Sequence, residues 1–336
     1  MPKIILHHYP ESPFAEKIRL LLGFKQAGYG AVTVPAIMPK PGLVPLTGGY
    51  RRTPVLQCGA DVYCDTALIA RVLDDLFPDE SIFPAHSEAA VAAMARWTDS
   101  VFFRAAIGIA FQPRALAENP RFQAPAALDA FLRDRRAFAG GGSLAMPLET
   151  ALPLFHNHLR KLDRQLARSA FLFGSVPTEA DFATYHCCWC VHRQPVLADS
   201  FDGYDNLLQW LSVMRAFGDG DPVELGAAQA LDSAAAVSPR VAEGRTLAAF
   251  DGLRPGQRVE VLPTDYGVDP VRGVLMQSTV DHLSLLREDE RVGTVAVHFP
   301  RVGFQVRAVA DSTDDGAAPA PALPGRRSSS VRDGDC

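Results

Sequence analysis

The sequence has no apolar run that approaches the roughly 20 residues needed to span a bilayer. It also has no strongly basic segment, and its net charge of −5 gives little support to nucleic-acid binding. The first residues, MPKIILHHYP, lack the apolar core and small-residue cleavage site of a signal peptide. We therefore expect a protein that binds neither membranes nor nucleic acids.

Cysteine is scarce and unevenly placed, with six residues in a chain of 336. Such a distribution is not a disulfide framework, so we expect reduced thiols and a cytoplasmic location. Cys187, Cys188 and Cys190 fall together beside His186 and His192, which suggests a metal site. The second ligand pair that zinc requires is missing, so the run predicts helix packing without a bound metal.

Residues 4–22 join a strand pattern directly to a helix pattern. Residues 4–6 are an apolar run that predicts a buried strand, and from Phe14 onward apolar residues recur at helical spacing. Ser12 occupies the N-cap position of this helix, and Pro13 fits its first turn. This arrangement places free N–H groups at the end of a sheet, where an anion such as a thiolate is stabilised.

The remainder of residues 1–80 predicts a compact α/β unit. Asp65 and Thr66 are suited to cap its last helix. The predicted elements are strands at 31–37, 55–57 and 62–64, a Pro- and Gly-rich loop at 39–50, and a helix at 67–76.

Two further regions follow, and a tail. Strand patterns largely vanish over residues 86–235, where helical spacing predicts an all-α domain. Residues 240–310 return to short Val-rich segments, which predict five strands in a small all-β barrel or meander. Residues 311–336 are rich in Ala, Pro, Ser and charge and predict a disordered tail.

Four motifs, in this order, resemble those of the glutathione S-transferase family. SPFAEKIR, from Ser12, is similar to the family's active-site turn and first helix, and TPVL, from Thr53, to its cis-proline strand entry. Asp65 and Thr66 resemble the acidic and hydroxyl pair of the glutathione site. TEAD, from Thr178, resembles the folding box of the helical domain and has the spacing of a capping box.

The resemblance covers roughly residues 1–235 and implies a thioredoxin-like domain, a helical domain, glutathione as co-substrate and a homodimer. It implies that Thr53, Pro54 and Val55 bind glutathione, with a cis bond at Pro54 that turns the chain so that Val55 offers its N–H and C=O to the peptide-like ligand in the manner of an added strand. Asp65 is implied to face the α-ammonium of glutathione, and Thr66 to help hold its α-carboxylate. The glycyl carboxylate is left to one of three cations: Lys40, Arg51 or Arg52.

Two residues compete for the glutathione sulfur. Family members with a similar active-site stretch often carry cysteine at the Ser12 position, whereas serine polarises a bound thiol but cannot exchange one. Tyr9 is the rival, because tyrosine-type members place a tyrosine at the end of the first strand. The implied reaction is attack of glutathione on a small hydrophobic electrophile, bound beside Trp97 and Phe103. Packing of these two side chains in the helical core is the equal alternative.

Two other functions fit the sequence. One is a non-catalytic adaptor that binds a protein partner through residues 240–310, where residues 292–300 form an exposed strand edge. The other is a thiol oxidoreductase that uses Cys58 or Cys64. It is the weaker hypothesis, because neither cysteine lies at a helix N-terminus.

Overall fold

The computed structural model describes residues 3–141, 143–240 and 252–309, so the tail predicted at 311–336 lies outside the described residues. The helices are α1 (Pro13–Phe24), α2 (Val44–Thr47), α3 (Thr66–Leu76), α4 (Glu88–Trp97), α5 (Phe103–Ala110), α6 (Pro113–Glu118), α7 (Pro125–Phe138), α8 (Leu148–Leu166), α9 (Glu179–His192), α10 (Asp205–Arg215) and α11 (Ala227–Ala235). A π-helical turn (Thr98–Phe102) joins α4 to α5, and 3₁₀ turns occur at Pro120–Phe122 and Pro195–Phe201.

The described strands form one mixed sheet, in the order β10-β6-β7-β8-β9-β4-β3-β1-β2-β5. The strands are β1 (Ile5–His8), β2 (Gly28–Thr33), β3 (Val55–Cys58), β4 (Asp61–Cys64), β5 (Asp221–Glu224), β6 (Arg258–Pro263), β7 (Val271–Ser278), β8 (His282–Asp289), β9 (Gly293–Pro300) and β10 (Phe304–Ala308). In the thioredoxin-like centre, β1 runs parallel to β2 and antiparallel to β3, and β4 is antiparallel to β3. This confirms the predicted α/β unit, and α4 to α10 form the helical domain that follows it. The all-α region predicted to reach residue 235 ends earlier, because β5 returns to the sheet and pairs with β2.

The C-terminal strands extend this sheet. Strands β6 to β9 are an antiparallel meander, and β10 returns beside β6. Strand β9 pairs in parallel with β4, with Val297 opposite Val62, and antiparallel with β8. The prediction that residues 292–300 form an exposed edge is therefore wrong, because β9 is paired on both sides.

Apolar side chains at alternating strand positions fill a core on each face of the sheet. Leu6 and Leu56 enter the core shared with α1, α3 and the helical domain, whereas Val55 enters the opposite core. In that opposite core, Tyr50 packs against Phe299 with ring centroids 5.8 Å apart. The C-terminal strands and the thioredoxin-like unit thus share one hydrophobic core.

Two predicted boundaries differ from the structure. Strand β2 spans Gly28–Thr33 instead of residues 31–37, and the predicted loop contains the short helix α2. Strand β2 begins early because it pairs with both β1 and β5. Gly30 suits this crowded position, since a Cβ there would lie 2.4 Å from Leu225 Cδ1. The start of β2 was not predicted, because Gly28 and Gly30 lie there and glycine is depleted in strands.

Candidate glutathione site

The turn between β1 and α1 places two hydroxyl groups at one end of the central sheet. Ser12 is the N-cap of α1, its Oγ accepts a hydrogen bond from the Ala15 N–H at 3.2 Å, and Pro13 occupies the first turn. The hydroxyl of Ser12 lies close enough to the Tyr9 phenol to lower its pKa, although burial raises the pKa of Tyr9 overall. Tyr9 therefore carries its proton near pH 7, and the two rivals for the sulfur lie side by side.

The entry to β3 forms the second wall. The peptide bond between Thr53 and Pro54 is cis, and both residues line the cleft. Val55 does not line the cleft: it is fully buried and sits within the sheet opposite His7 and Cys64. Among the predicted strand-entry residues, Thr53 and Pro54 therefore line the cleft, whereas the Val55 side chain lies in the core on the opposite face of the sheet.

Asp65 and Thr66 form the third wall, at the N-terminus of α3. Asp65 caps the helix through a hydrogen bond from the Ala67 N–H at 3.0 Å. Its backbone φ of 76° is unusual for a residue other than glycine and indicates a conformation that the surrounding structure enforces. Burial raises the pKa of Asp65, against the Arg52 charge. Both residues line the same cleft as Ser12.

The three candidate cations differ in their partners. Arg51 forms an ion pair with Asp134 at 2.7 Å, and Arg52 forms one with Asp265. Lys40 Nζ donates to the Arg51 carbonyl at 2.9 Å and to Thr53 Oγ1 at 2.6 Å, both neutral acceptors. Burial, together with the Arg135 charge, lowers the pKa of Lys40 to about 7.

A loop of the C-terminal strands covers the cleft, a feature that local sequence patterns do not reveal. Arg52 also donates to the Tyr266 carbonyl, and its guanidinium lies 4.0 Å from the centre of the Tyr266 ring. That ring contacts Phe138 of α7 at a centroid distance of 5.2 Å, and the Gly267 N–H donates to the Phe138 carbonyl at 2.8 Å. The loop therefore links the two domains across a cleft of about 1280 Å³.

The helical side of the cleft is aromatic, but it does not include both predicted residues. Phe103 lines the cleft, in contact with Phe14 at a ring distance of 4.6 Å. Trp97 lies outside the cleft and stacks on Phe102 at 5.9 Å, beside His158. The expectation for Trp97 is corrected because it ends α4 and faces α8. Phe111, Phe122, Phe131 and Phe138 also line the cleft, and sequence reasoning missed the last three.

A buried charged network lies behind the site, where α1 meets the helical domain. Asp99, in the π-helical turn, accepts hydrogen bonds from Lys17 Nζ at 2.7 Å and from His186 Nε2 at 2.8 Å. Glu179 lies 3.9 Å from the same lysine. The Lys17 charge holds the pKa of Asp99 at about 2, against its burial, whereas burial raises the pKa of Glu179 to about 7. The network fixes α1 against α9 and thereby positions the Ser12 turn.

The cysteine run lies inside α9. Cys187, Cys188 and Cys190 are all buried, and Cys187 Sγ lies 3.7 Å from the Thr98 carbonyl oxygen. Burial raises the pKa of each thiol. The described residues contain no cluster of three or more His, Cys, Asp or Glu suited to a metal ion. None of the helices that the structure describes has the length and apolar character to cross a membrane.

Two family models match the chain. One, described as the glutathione S-transferase N-terminal domain, matches residues 6–81, and the other, described as the glutathione S-transferase C-terminal domain, matches residues 122–212. The structure of a GST-like protein from Pseudomonas syringae is 38% identical, with a TM-score of 0.78. That match covers 92% of this chain and 100% of the other.

More distant structures match about two thirds of this chain. A glutathione S-transferase from Methylobacillus flagellatus with glutathione bound is 21% identical over 66% of this chain and 100% of its own, with a TM-score of 0.48. A theta class glutathione S-transferase from Xanthomonas axonopodis pv. citri with glutathione bound is 19% identical over 66% of this chain and 97% of its own, with a TM-score of 0.45. Comparison with curated proteins found no match.

Proposed function

We propose, on the premise that this chain belongs to the glutathione S-transferase family, that it binds glutathione and activates its thiol for attack on a small electrophile. The observation that carries the proposal is that Ser12, Thr53 and Asp65, from three separate motifs, line one cleft. Ser12 supplies a hydroxyl group, Thr53 its backbone and Asp65 a carboxylate. These groups match the thiol, the peptide unit and the ammonium group of glutathione.

In the proposed complex, the γ-glutamyl end of glutathione lies at the N-terminus of α3. The Asp65 carboxylate pairs with the α-ammonium, while Thr66 and the helix N-terminus hold the α-carboxylate. The backbone of Thr53 pairs with the cysteinyl unit, a part that Val55 is too deeply buried to take. Lys40 takes the glycyl carboxylate, because Arg51 and Arg52 already have carboxylate partners.

Ser12 is the proposed partner of the sulfur. Its Oγ accepts a hydrogen bond from Ala15, and its hydroxyl proton, which lies beside the Tyr9 oxygen in the free protein, turns to donate to the thiolate in the proposed complex. A hydrogen bond to the charged form lowers the thiol pKa and increases the thiolate fraction near pH 7. The thiolate then forms a C–S bond at the electrophilic carbon, and the leaving group departs with the bonding electrons.

The adaptor hypothesis loses its main support in the structure, since β9 is paired to β4 and β8. The thiol oxidoreductase hypothesis is also weak, because the thiolate is the reactive form of cysteine. Burial disfavours that form by raising the pKa of Cys58 to about 11 and that of Cys64 well above its usual value. The homodimer and the cytoplasmic location stay predictions.

Calorimetric titration with glutathione tests the binding site. We expect saturable heat with the unmodified chain and at least about tenfold weaker binding by Asp65→Asn, which removes the charge that faces the ammonium but keeps an oxygen to cap α3. Asp75→Asn, an exposed position on α3, is the matched control and leaves affinity unchanged. A folded protein that gives no heat at millimolar glutathione would contradict the proposal.

A further inference from the structure

The cleft has an aromatic wall on its helical side, beyond the proposed sulfur position. Phe111 and Phe131 stack with centroids 5.6 Å apart and nearly parallel rings, and Phe122 contacts Phe131 at 5.0 Å. All three rings line the cleft. Such a wall suits a planar aromatic ligand, because aromatic pairs favour the offset-stacked and edge contacts that these rings can offer.

A guanidinium with no acidic partner lies on the same wall. Arg121 is half-buried, with its guanidinium carbon 5.1 Å from the centre of the Phe131 ring and 5.6 Å from that of Phe122. Its backbone N–H donates a hydrogen bond to Asn119 Oδ1 at 3.0 Å, which holds the backbone of Arg121 in this turn. Arg121 forms no ion pair with any of the described residues. Glu11 and Glu118 also line the cleft, but both are exposed and neither is bonded to Arg121.

The neighbouring cation, Arg135, shares its carboxylate partner. Arg135 lies over Phe131 and Phe138 at 5.5 and 4.7 Å, and it pairs with Asp134, the carboxylate that Arg51 also uses. Burial raises the pKa of the Tyr9 phenol, and Arg135 and Arg121 both act to lower it, so their charges reach the phenol beside Ser12. A bound glycyl carboxylate neutralises one cation, which the proposed function assigns to Lys40. The Arg121 charge is still without a partner.

We infer that the electrophile is an aromatic anion, whose ring stacks on the Phe111–Phe131 wall and whose carboxylate or sulfonate pairs with Arg121. The inference rests on the proposed function for the reaction itself. The glutathione sulfur forms the new C–S bond, the leaving group departs with the bonding pair, the thiol proton passes to water, and the anionic group is unchanged. A planar guanidinium that already lies over two rings offers paired N–H donors to such a group at little further entropic cost.

Two matched ligand pairs test this assignment by calorimetry. Naphthoate against naphthamide measures the charge preference without glutathione, and S-(para-carboxybenzyl)glutathione against S-benzylglutathione measures it with glutathione attached. We expect each anion to bind about tenfold more tightly than its neutral partner, with a preference that weakens as salt is added. Arg121→Gln should abolish the preference, and Arg121→Lys should retain part of it.

Arg133→Gln is the control, because Arg133 is exposed on α7, donates to the Asp129 carbonyl at 3.3 Å and does not line the cleft. It should leave both preferences intact. Equal affinity for charged and neutral partners, or a preference that survives Arg121→Gln, overturns the inference. Failure of glutathione itself to bind, with naphthoate still preferred, would remove the conjugation reaction and leave the aromatic-anion site standing.

Discussion

The Ser12 hydroxyl has an observed structural part and a proposed chemical part. Its oxygen caps α1 by accepting from Ala15, and the same hydroxyl lies beside the Tyr9 phenol. The sequence predicted the cap, because a cap depends only on residues three apart, and the role toward the glutathione sulfur stays a proposal. Local spacing did not settle the rivalry with Tyr9, and the structure brings both hydroxyls to the same place.

Lys40 gives the residue-scale prediction. Its pKa of about 7 means that a fraction of the free protein carries it neutral at pH 7 to 8, and a bound carboxylate favours the charged form. Binding should therefore take up protons in this range and weaken as the pH rises above 7. Calorimetry of S-methylglutathione in buffers of different ionisation enthalpy measures the uptake, and S-methylation removes the thiol titration.

Lys40→Met is the informative variant for this prediction. It should bind S-methylglutathione more weakly and with no proton uptake between pH 6 and 8. Uptake that persists in this variant would assign the proton to another group and remove Lys40 from the glycyl end.

Among the elements, the junction of α4 and α5 decides what faces the site. A π-helical turn carries one extra residue per turn, so it shifts the face that each following side chain presents. The uniform helical spacing of residues 89–110 predicted a helix but not this shift. The inward position of Asp99, which lies within the turn, was therefore missed, whereas Trp97 precedes the turn as the last residue of α4.

Replacing Asp99 tests the buried network that this turn creates. Asp99→Asn removes the charge that compensates Lys17, which is 1% exposed, and we expect a loss of about 3–5 kcal/mol in the free energy of unfolding. Denaturant titration measures it. Asp75→Asn, at an exposed position, should change stability by less than about 0.5 kcal/mol.

The same carboxylate predicts a pH dependence. Since the pKa of Asp99 is lowered from 3.8 to about 2, its contribution is complete above pH 3.8 and is lost as the pH falls towards 2. The unmodified chain should lose stability in that window more steeply than Asp99→Asn. Equal slopes would mean that Asp99 is not held in its charged form by Lys17.

On the scale of the whole molecule, the C-terminal strands are part of the thioredoxin-like unit. The sequence predicted their number and positions closely, because Val-rich alternation is local. It did not predict that β9 pairs with β4, since the pairing of strands more than 200 residues apart leaves no local pattern. The cover formed by Tyr266 over Arg52 follows from this pairing and was hidden for the same reason.

Leu285→Ala tests this continuity. Leu285 lies on β8, is fully buried and belongs to the core that also contains Val55 and Val62. We expect a loss of about 2–5 kcal/mol and a single unfolding transition. Hydrogen exchange should show that the amides of β4 and β9 lose protection together. Exchange that accelerates in β9 while β4 is unchanged would indicate an independent C-terminal domain.

The most direct test of the proposed glutathione site is the ultraviolet absorbance of the thiolate of bound glutathione, measured as a function of pH. The bound thiol should ionise at a pH below that of free glutathione. Ser12→Ala should return its pKa towards the free value and lower kcat/KM for an activated aryl halide by about a hundredfold. Tyr9→Phe should have the smaller effect. An unshifted thiol pKa in the complex, or one that Ser12→Ala leaves unchanged, would contradict the role given to Ser12.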